Sequence, residues 1–245
     1  MTAELRAELL KQRSIPTTFA LLAGLLGLVL LAVVSHGIGL SAATLASADN
    51  QLMLFGRGEF LAALFAALLG AMSFTAEIRH GTIRPTFLVD PSRSRVVTAK
   101  VVVSALIGAG FGLAASALAA AVGAGVLGAR GIEIQLDAAD YALLIGGGAA
   151  ASALWAAIGV GVGAIVRDQV PALIGIAAWL LFVEGLFGEN LVDISKFAPG
   201  TLGMAVSGQE PDTLLAPGTS LLLLSLYASV AAAAGSIATT RQDVA

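Results

Sequence analysis

The side chains best suited to contacting another molecule are concentrated between residues 77 and 100. Five of the thirteen Lys and Arg residues of the chain lie there: Arg79, Arg84, Arg93, Arg95 and Lys100. Gly81, Pro85, Pro91 and the apolar run 87–89 predict a short folded element in this stretch instead of a plain connector. Such a charged element is suited to docking onto a protein partner, where electrostatic complementarity gives specificity, and it offers no bond-making chemistry.

Glu184 is the acidic residue that the sequence places most clearly inside an apolar segment. It follows Pro171 by 13 residues, which is ~20 Å along a helix that rises ~1.5 Å per residue. Ionisable side chains at membrane depth are candidates for a transport pathway. Two interpretations stay open: Glu184 lines a substrate path, or it reaches the interface or a water-filled vestibule. Arg57 and Glu59 are expected to pair in the headgroup zone.

Residue types that catalysis or cofactor binding would need are missing or badly spaced. The sequence has no cysteine, no Walker A loop, no nucleophile elbow and no zincin motif. Its two histidines, His36 and His80, are predicted to lie on opposite membrane faces, so they cannot form a metal site together. We expect no catalytic, cofactor-binding or metal-ligating residues and no enzymatic activity in this chain.

Hydropathy identifies the elements that must position these residues. The chain is 58% hydrophobic and 12% charged, about half the charge content of a soluble domain at roughly 25%, and its mean hydropathy is +0.92. A bilayer-spanning helix needs about 20 mostly apolar residues, and six windows meet that requirement: 17–40, 54–76, 97–126, 140–166, 170–188 and 214–238. The sequence therefore predicts an all-α, polytopic membrane protein with one transmembrane domain over residues 1–245.

The basic residues predict how the six spans are oriented. With both termini in the cytoplasm, ten Lys and Arg residues fall on the cytoplasmic side, and only Arg57, Arg130 and Lys196 fall outside. This distribution satisfies the positive-inside rule, which the inverted arrangement violates. The expected location is a cell membrane, with the bacterial cytoplasmic membrane favoured.

Three further patterns predict local structure. Residues 1–16 are expected to form an amphipathic elbow helix at the cytoplasmic interface. The reason is that Leu5 and Leu9, four residues apart, form an apolar stripe beside charged residues. Residues 189–213 are expected to form two short amphipathic helices outside, which lie on the outer leaflet or cap the exit of a pathway. Glycines four residues apart, Gly108 with Gly112 and Gly159 with Gly163, predict closely packed helices.

These features together resemble the ABC-2 type permeases of ATP-binding-cassette transporters. The resemblance covers nearly the whole chain: six spans, the elbow, Glu77-(3)-Gly81-Thr82-Ile83-Arg84, Pro91-Ser92-Arg93, Lys100, the turn Val166-Arg167-Asp168-Gln169, and the interrupted region between the last two spans. The loop departs from the family pattern at Pro85-Thr86-Phe87, where a leucine-like run without proline is usual.

The resemblance implies a half-transporter: two copies of this chain, in the lipid bilayer, with two separate ABC ATPase subunits that hold ATP and Mg. The segment from Glu77 to Arg95 would pack into a groove of the ATPase, assisted by the elbow. Carried over residue by residue, the ATPase-coupling residues would be Glu77, Gly81, Thr82, Arg84, Pro91, Arg93 and Lys100. The family exports many kinds of cargo, so no substrate is implied, and no nucleic acid is expected as a partner.

A second class of function remains open from the sequence. It is an ATP-independent membrane protein, either a secondary transporter or a membrane assembly factor. Secondary transporters usually have discontinuous helices and buried ionisable residues that bind coupling ions, and Glu184 is the residue that supports this class. Co-purification of an ABC ATPase would separate the two classes.

Overall fold

The computed structural model describes residues 2–89, 92–209 and 214–241. One predicted coupling residue, Pro91, lies outside these ranges. The described residues form helices and turns, with no β-strand among them. The helices are α1 (Thr2–Ser14), α2 (Pro16–Gly39), α3 (Ala48–Arg79), α4 (Ile83–Val89), α5 (Arg93–Ala129), α6 (Ala138–Val166), α7 (Gln169–Ala178), α8 (Glu184–Asn190), α9 (Val192–Ser195), α10 (Pro199–Val206) and α11 (Pro217–Arg241).

Among the described residues, six helical segments are long and apolar enough to cross a bilayer, which confirms the prediction of a multi-pass membrane protein. They are α2, α3, α5, α6, α11 and the segment Gln169–Leu186, in which a π-helical turn, Trp179–Val183, joins α7 to α8. Helices α3 and α5 contain 32 and 37 residues and are longer than the windows predicted. The reason is that polar and charged residues at their ends continue the helix beyond the apolar part.

The spans run back and forth between two ends of the bundle. The end that we call the basic end holds α1, the α3–α5 connection and the last turn of α11. Two contacts join these parts: Lys11 Nζ lies 2.8 Å from Glu77 Oε1, and Arg93 Nη1 donates to the Thr239 carbonyl oxygen at 2.8 Å. At the opposite end, Gln51 Nε2 donates to the Glu133 carbonyl oxygen at 2.9 Å and links the α2–α3 and α5–α6 connections.

Small residues set the distances between the central helices, in which α6 packs against α3, α5 and α11. A Cβ atom on Gly159 would overlap the carbonyl oxygen of Ala67, and one on Gly112 would overlap that of Gly148, whereas Gly146 faces open space. Side chains larger than hydrogen would therefore force these helices apart. The predicted close packing is confirmed at Gly108, Gly112, Gly159 and Gly163.

The described part of the connection between the last two spans contains two short helices, and the second of them packs into the bundle. The two short helices predicted in residues 189–213 correspond to α9 and α10. Helix α10 does not lie on a surface, because Leu202 and Val206 are buried and the helix packs against α3, α6 and α11. The structure therefore brings this segment close to the interior of the bundle.

Candidate functional site

Helix α3 ends in a glycine-dependent turn that sends the chain into α4. The amides of Gly81 and Thr82 donate to the carbonyl oxygens of Ile78 and Glu77 at 3.1 and 2.9 Å, and Gly81 has a φ of +69°. This pair of hydrogen bonds satisfies carbonyl groups that the end of a helix leaves unpaired, and the positive φ favours glycine. Two of the predicted coupling residues, Gly81 and Thr82, thus fix the angle between α3 and α4.

Helix α4 has one face on the bundle and one face turned away from it. Pro85 lies in the first turn, where proline is tolerated, so the departure from the family pattern leaves the helix intact. Ile83 is buried and Phe87 is partly buried in a small apolar cluster with α3 and α5. Arg84 and Leu88 are exposed, Leu88 by 85%. Within the described part of the chain, no hydrogen bond or ion pair involves Arg84.

A network of four charged side chains, with Lys100 and Glu8 buried and Lys11 partly exposed, lies next to α4. We call it the charged cluster: Glu8, Lys11, Glu77 and Lys100. Lys100 Nζ donates to both carboxylate oxygens of Glu8 at 3.2 and 3.1 Å, to Glu77 Oε1 at 2.8 Å and to the Ser73 carbonyl oxygen at 2.9 Å. Lys11 Nζ donates to Glu8 Oε1 at 3.0 Å and to Glu77 Oε1 at 2.8 Å. The side chain of Lys100 is 0% exposed.

The charges of this cluster balance, with two acids and two bases. Burial lowers the pKa of Lys11, but hydrogen bonds and attraction from Glu77 and Glu8 outweigh it, so the pKa of Lys11 is raised and the side chain stays charged at neutral pH. Burying ions is costly, and only complete partnering offsets that cost. The cluster satisfies this condition because Lys100 uses its ammonium hydrogens on oxygen acceptors.

The charged cluster connects four helices at the basic end. Glu8 and Lys11 come from α1, Glu77 from α3 and Lys100 from α5. Thr86 of α4 lies at the edge of the cluster, because its hydroxyl donates to the Thr82 carbonyl oxygen at 3.0 Å and lies 3.4 Å from Glu77 Oε2. Helix α4 therefore contacts the cluster through a long polar contact with Glu77.

Helix α1 packs on the bundle through its polar face. Glu8 and Gln12 are buried, whereas Leu9 and Leu10 are exposed by 40% and 63%. This is the reverse of a helix in a water-soluble protein, and it suits a helix whose outer face contacts the membrane interface.

Arg93 supports this arrangement from the start of α5. Its Nη1 atom donates to the Thr239 carbonyl oxygen of α11, and its guanidinium lies 5.5 Å from the centre of the Phe87 ring of α4. Among the predicted coupling residues, Glu77 and Lys100 therefore meet directly, Arg93 joins α4 to α11, and Arg84 stands outside this network.

A cavity of about 620 Å³ opens beside the charged cluster. It lies between α1, α2, α3 and the start of α7, with Lys11, Glu77 and Arg79 among its polar lining residues and Leu69 and Met72 among its apolar ones. Glu8, Lys11 and Glu77 of the cluster line this cavity.

At the opposite end, Glu184 caps helix α10. Its carboxylate accepts hydrogen bonds from the amides of Gly200 and Thr201 at 2.9 and 3.2 Å and from Trp179 Nε1 at 2.5 Å. The amides of a first helical turn have no partner within the helix, and a carboxylate there also complements the helix dipole. The observed contacts of Glu184 are therefore structural, holding α10 against the interrupted fifth span.

Sequence reasoning missed the buried position of Glu59. The predicted Arg57–Glu59 pair is wrong, because Arg57 Nη2 lies 3.0 Å from His36 Nε2 while Glu59 is 2% exposed inside the bundle. Residues two apart on a helix point in different directions. Helix α3 begins at Ala48, so Glu59 lies eleven residues, or ~16 Å, along it. Asp49, an acid typical of a first helical turn, could have marked that start.

The described residues show no metal site, and no matching family indicates a function for this chain. In residues 2–89, 92–209 and 214–241, no group of three or more His, Asp or Glu side chains is placed to hold a metal ion. No protein-family model matches this chain, and no curated protein matches it either.

Proposed function

We propose that this chain is the membrane permease subunit of an ATP-driven ABC exporter. Two copies would form the substrate pathway, and two separate ATPase subunits would supply the work. The observation that carries the proposal is the placement of α4. Its outer face, with Arg84 and Leu88, is exposed, while its inner side contacts a buried ionic network that joins α1, α3 and α5. The resemblance of segment 77–100 to ABC-2 permeases supports the same function.

In this proposal, α4 docks into the ATPase and transmits its movement. ATP-driven closure of the two ATPase subunits displaces α4. Because breaking a buried ion pair costs about 3–5 kcal/mol, α1, α3 and α5 move together with α4 and the charged cluster stays intact. Binding of the closed ATPases then favours one of two permease conformations, since a ligand shifts an equilibrium through its different affinities for the two states. ATP and Mg are held by the partner.

The basic end is proposed to face the cytoplasm of a bacterial cell. Ten of the thirteen Lys and Arg residues belong to this end, and Arg57, Arg130 and Lys196 belong to the other. This orientation presents α4 to a soluble ATPase and places α8, α9 and α10 on the outer side.

A second candidate is an ATP-independent secondary transporter, and Glu59 is the observation that favours it. A carboxyl group buried in a membrane span is a usual binding site for a coupling proton. The two candidates differ in their energy source. Export that stops when ATP is depleted and continues when the proton gradient is collapsed supports the first candidate, and the reverse result supports the second.

The composition of the purified complex tests the first proposal. We expect that a tagged copy of this chain, extracted gently from the membranes of its host and weighed by native mass spectrometry, carries a second copy of itself and two ABC ATPase subunits. A complex with one permease copy, or with a different second permease, contradicts the homodimer. A purified chain that carries no ATPase contradicts the exporter.

A further inference from the structure

The opposite end of the bundle contains a second cluster of buried polar side chains. What we infer from it does not depend on the ATPase proposal. We call it the Glu59 cluster, and its members are each 3% exposed or less: Glu59, Ser116, Ser152, Trp155 and Gln209. They come from three spans, α3, α5 and α6, and from the segment that follows α10. Buried polar atoms in such a place need hydrogen-bond partners, or they destabilise the fold.

Hydrogen bonding in the Glu59 cluster is incomplete. Gln209 Nε2 donates to Glu59 Oε2 at 3.3 Å and to Ser207 Oγ at 2.7 Å. Three polar atoms lack a partner: Ser116 Oγ, Ser152 Oγ and Trp155 Nε1. The indole nitrogen and the carboxyl group both lie next to Gly203, because a Cβ atom built on that glycine would lie 2.7 Å from Glu59 Oε1 and 3.6 Å from Trp155 Nε1.

No positive charge balances Glu59. Among the described residues no Lys, Arg or His lies within ion-pair distance of it, in contrast to Glu77, which contacts two lysines. The polar groups nearest to it in the described part of the chain are neutral, namely Ser116 from α5, Trp155 from α6 and Gln209 after α10. The titratable group whose charge acts on it is Glu184, another acid. An ionised carboxylate buried without a cation is strongly unfavourable.

We propose that Glu59 is a proton-binding site. Protonation adds one proton from water to one carboxylate oxygen and leaves a neutral acid, and release returns that proton to water. The neutral acid avoids the cost of a buried carboxylate that no cation balances.

A metal cation fits this site poorly. The side-chain amide of Gln209 donates an N–H to Glu59, and such a donor repels a cation. The site is also closely packed, because a Cβ atom on Gly56 would overlap Gln209 and one on Gly148 would overlap Ser116. A proton adds almost no volume to it.

The charge on Glu59 would control the docking of α10. Gly203 of α10 lies against the carboxyl group, and Gln209 just after α10 donates to it. When Glu59 loses its proton, its carboxylate carries a negative charge inside the bundle. Outward movement of residues 199–209 admits water, which solvates and stabilises that charge. The neutral acid therefore keeps α10 docked, and the carboxylate releases it.

Cysteine labelling at Ala205 tests this inference. Ala205 of α10 is 3% exposed, and the chain has no cysteine of its own. The rate at which Ala205→Cys reacts with a membrane-impermeant maleimide is measured over a range of pH. It is divided by the rate measured for Ile194→Cys, an exposed position on α9. This ratio corrects for changes in reagent reactivity with pH, and the same ratio in the E59Q background corrects for the pH dependence of the buried thiol itself. We expect the ratio to rise severalfold from acidic to alkaline buffer, and to stay low at every pH in the E59Q background.

Infrared spectroscopy of the purified protein provides a second readout that needs no cysteine. A protonated carboxyl band that is present in the wild type at neutral pH and absent from E59Q supports the proposal. Three results would overturn it: a ratio that does not change with pH, a change that persists in E59Q, or a ratio that responds to sodium at constant pH. Asp193→Asn, which neutralises an exposed acid on α9, should leave the pH response unchanged.

Discussion

Replacing Lys100 by methionine is expected to destabilise the protein by about 3–5 kcal/mol, because it leaves two carboxylates with one partly exposed lysine, Lys11, and so with an uncompensated negative charge. The substitution removes hydrogen bonds to Glu8, Glu77 and the Ser73 carbonyl oxygen while it keeps most of the side-chain volume. The measurement is the unfolding midpoint of the purified protein in detergent, together with its abundance in the membrane.

The other two lysines of the chain provide matched controls. Lys11 contacts the same carboxylates but its side chain is 41% exposed, so Lys11→Met should cost less than Lys100→Met. Lys196 only stacks on the Phe197 ring at 5.6 Å, and Lys196→Met should be nearly silent. Adding Glu77→Gln to Lys100→Met should recover part of the loss, since the two residues are coupled. Equal unfolding midpoints for the three single variants would contradict a buried ionic network.

The second large effect is expected on the outer face of α4. Arg84→Ala or Leu88→Asp should sharply reduce both ATP-driven export and the amount of ATPase that co-purifies, while the unfolding midpoint stays unchanged. An exposed ion pair contributes only about 0–1 kcal/mol, whereas a charge that loses its partner inside a protein interface costs about 2–5 kcal/mol. Both side chains are exposed in the isolated chain, so a loss of function without loss of stability points to a contact with another protein.

The control for this pair is Ile194→Asp, which introduces a charge at a comparably exposed apolar position at the opposite end. Arg130 is a poor control, because its guanidinium donates to the carbonyl oxygens of Gly37 and Leu40 and so supports the end of α2. If Ile194→Asp and Leu88→Asp reduce export equally at equal membrane abundance, α4 has no special coupling role.

The sequence predicted the six spans and the separation of charge because both depend on local composition. A bilayer requires about 20 apolar residues per helix, and the six windows were therefore visible without tertiary information. The turn at Gly81 was also visible, since the end of an apolar run followed by glycine is typical of a helix C-terminus.

The charged cluster was not predicted, because it depends on contacts between distant residues. Glu77 and Lys100 were named only as coupling residues of their own loop, and Glu8 is 92 residues away from Lys100 in the chain. The apolar stripe of α1 indicated a helix at the membrane interface, and it gave no sign that the polar face would supply buried ion-pair partners. Similarly, Gln209 and Glu59 are 150 residues apart, and only the inward path of α10 brings them together.

Site-specific cross-linking from α4 tests the central claim, that this chain is driven by a docked ATPase. Because the chain has no cysteine, Leu88→Cys provides a single reactive thiol in a tagged copy, and Ile194→Cys provides the same thiol at the opposite end. After treatment of host membranes with a short bifunctional reagent, we predict that Leu88→Cys forms an adduct with an ABC ATPase subunit and that Ile194→Cys does not. Two results would contradict the account. The first is a Leu88→Cys variant that still exports its cargo but forms no adduct with an ATPase. The second is the same set of adducts from Leu88→Cys and from Ile194→Cys.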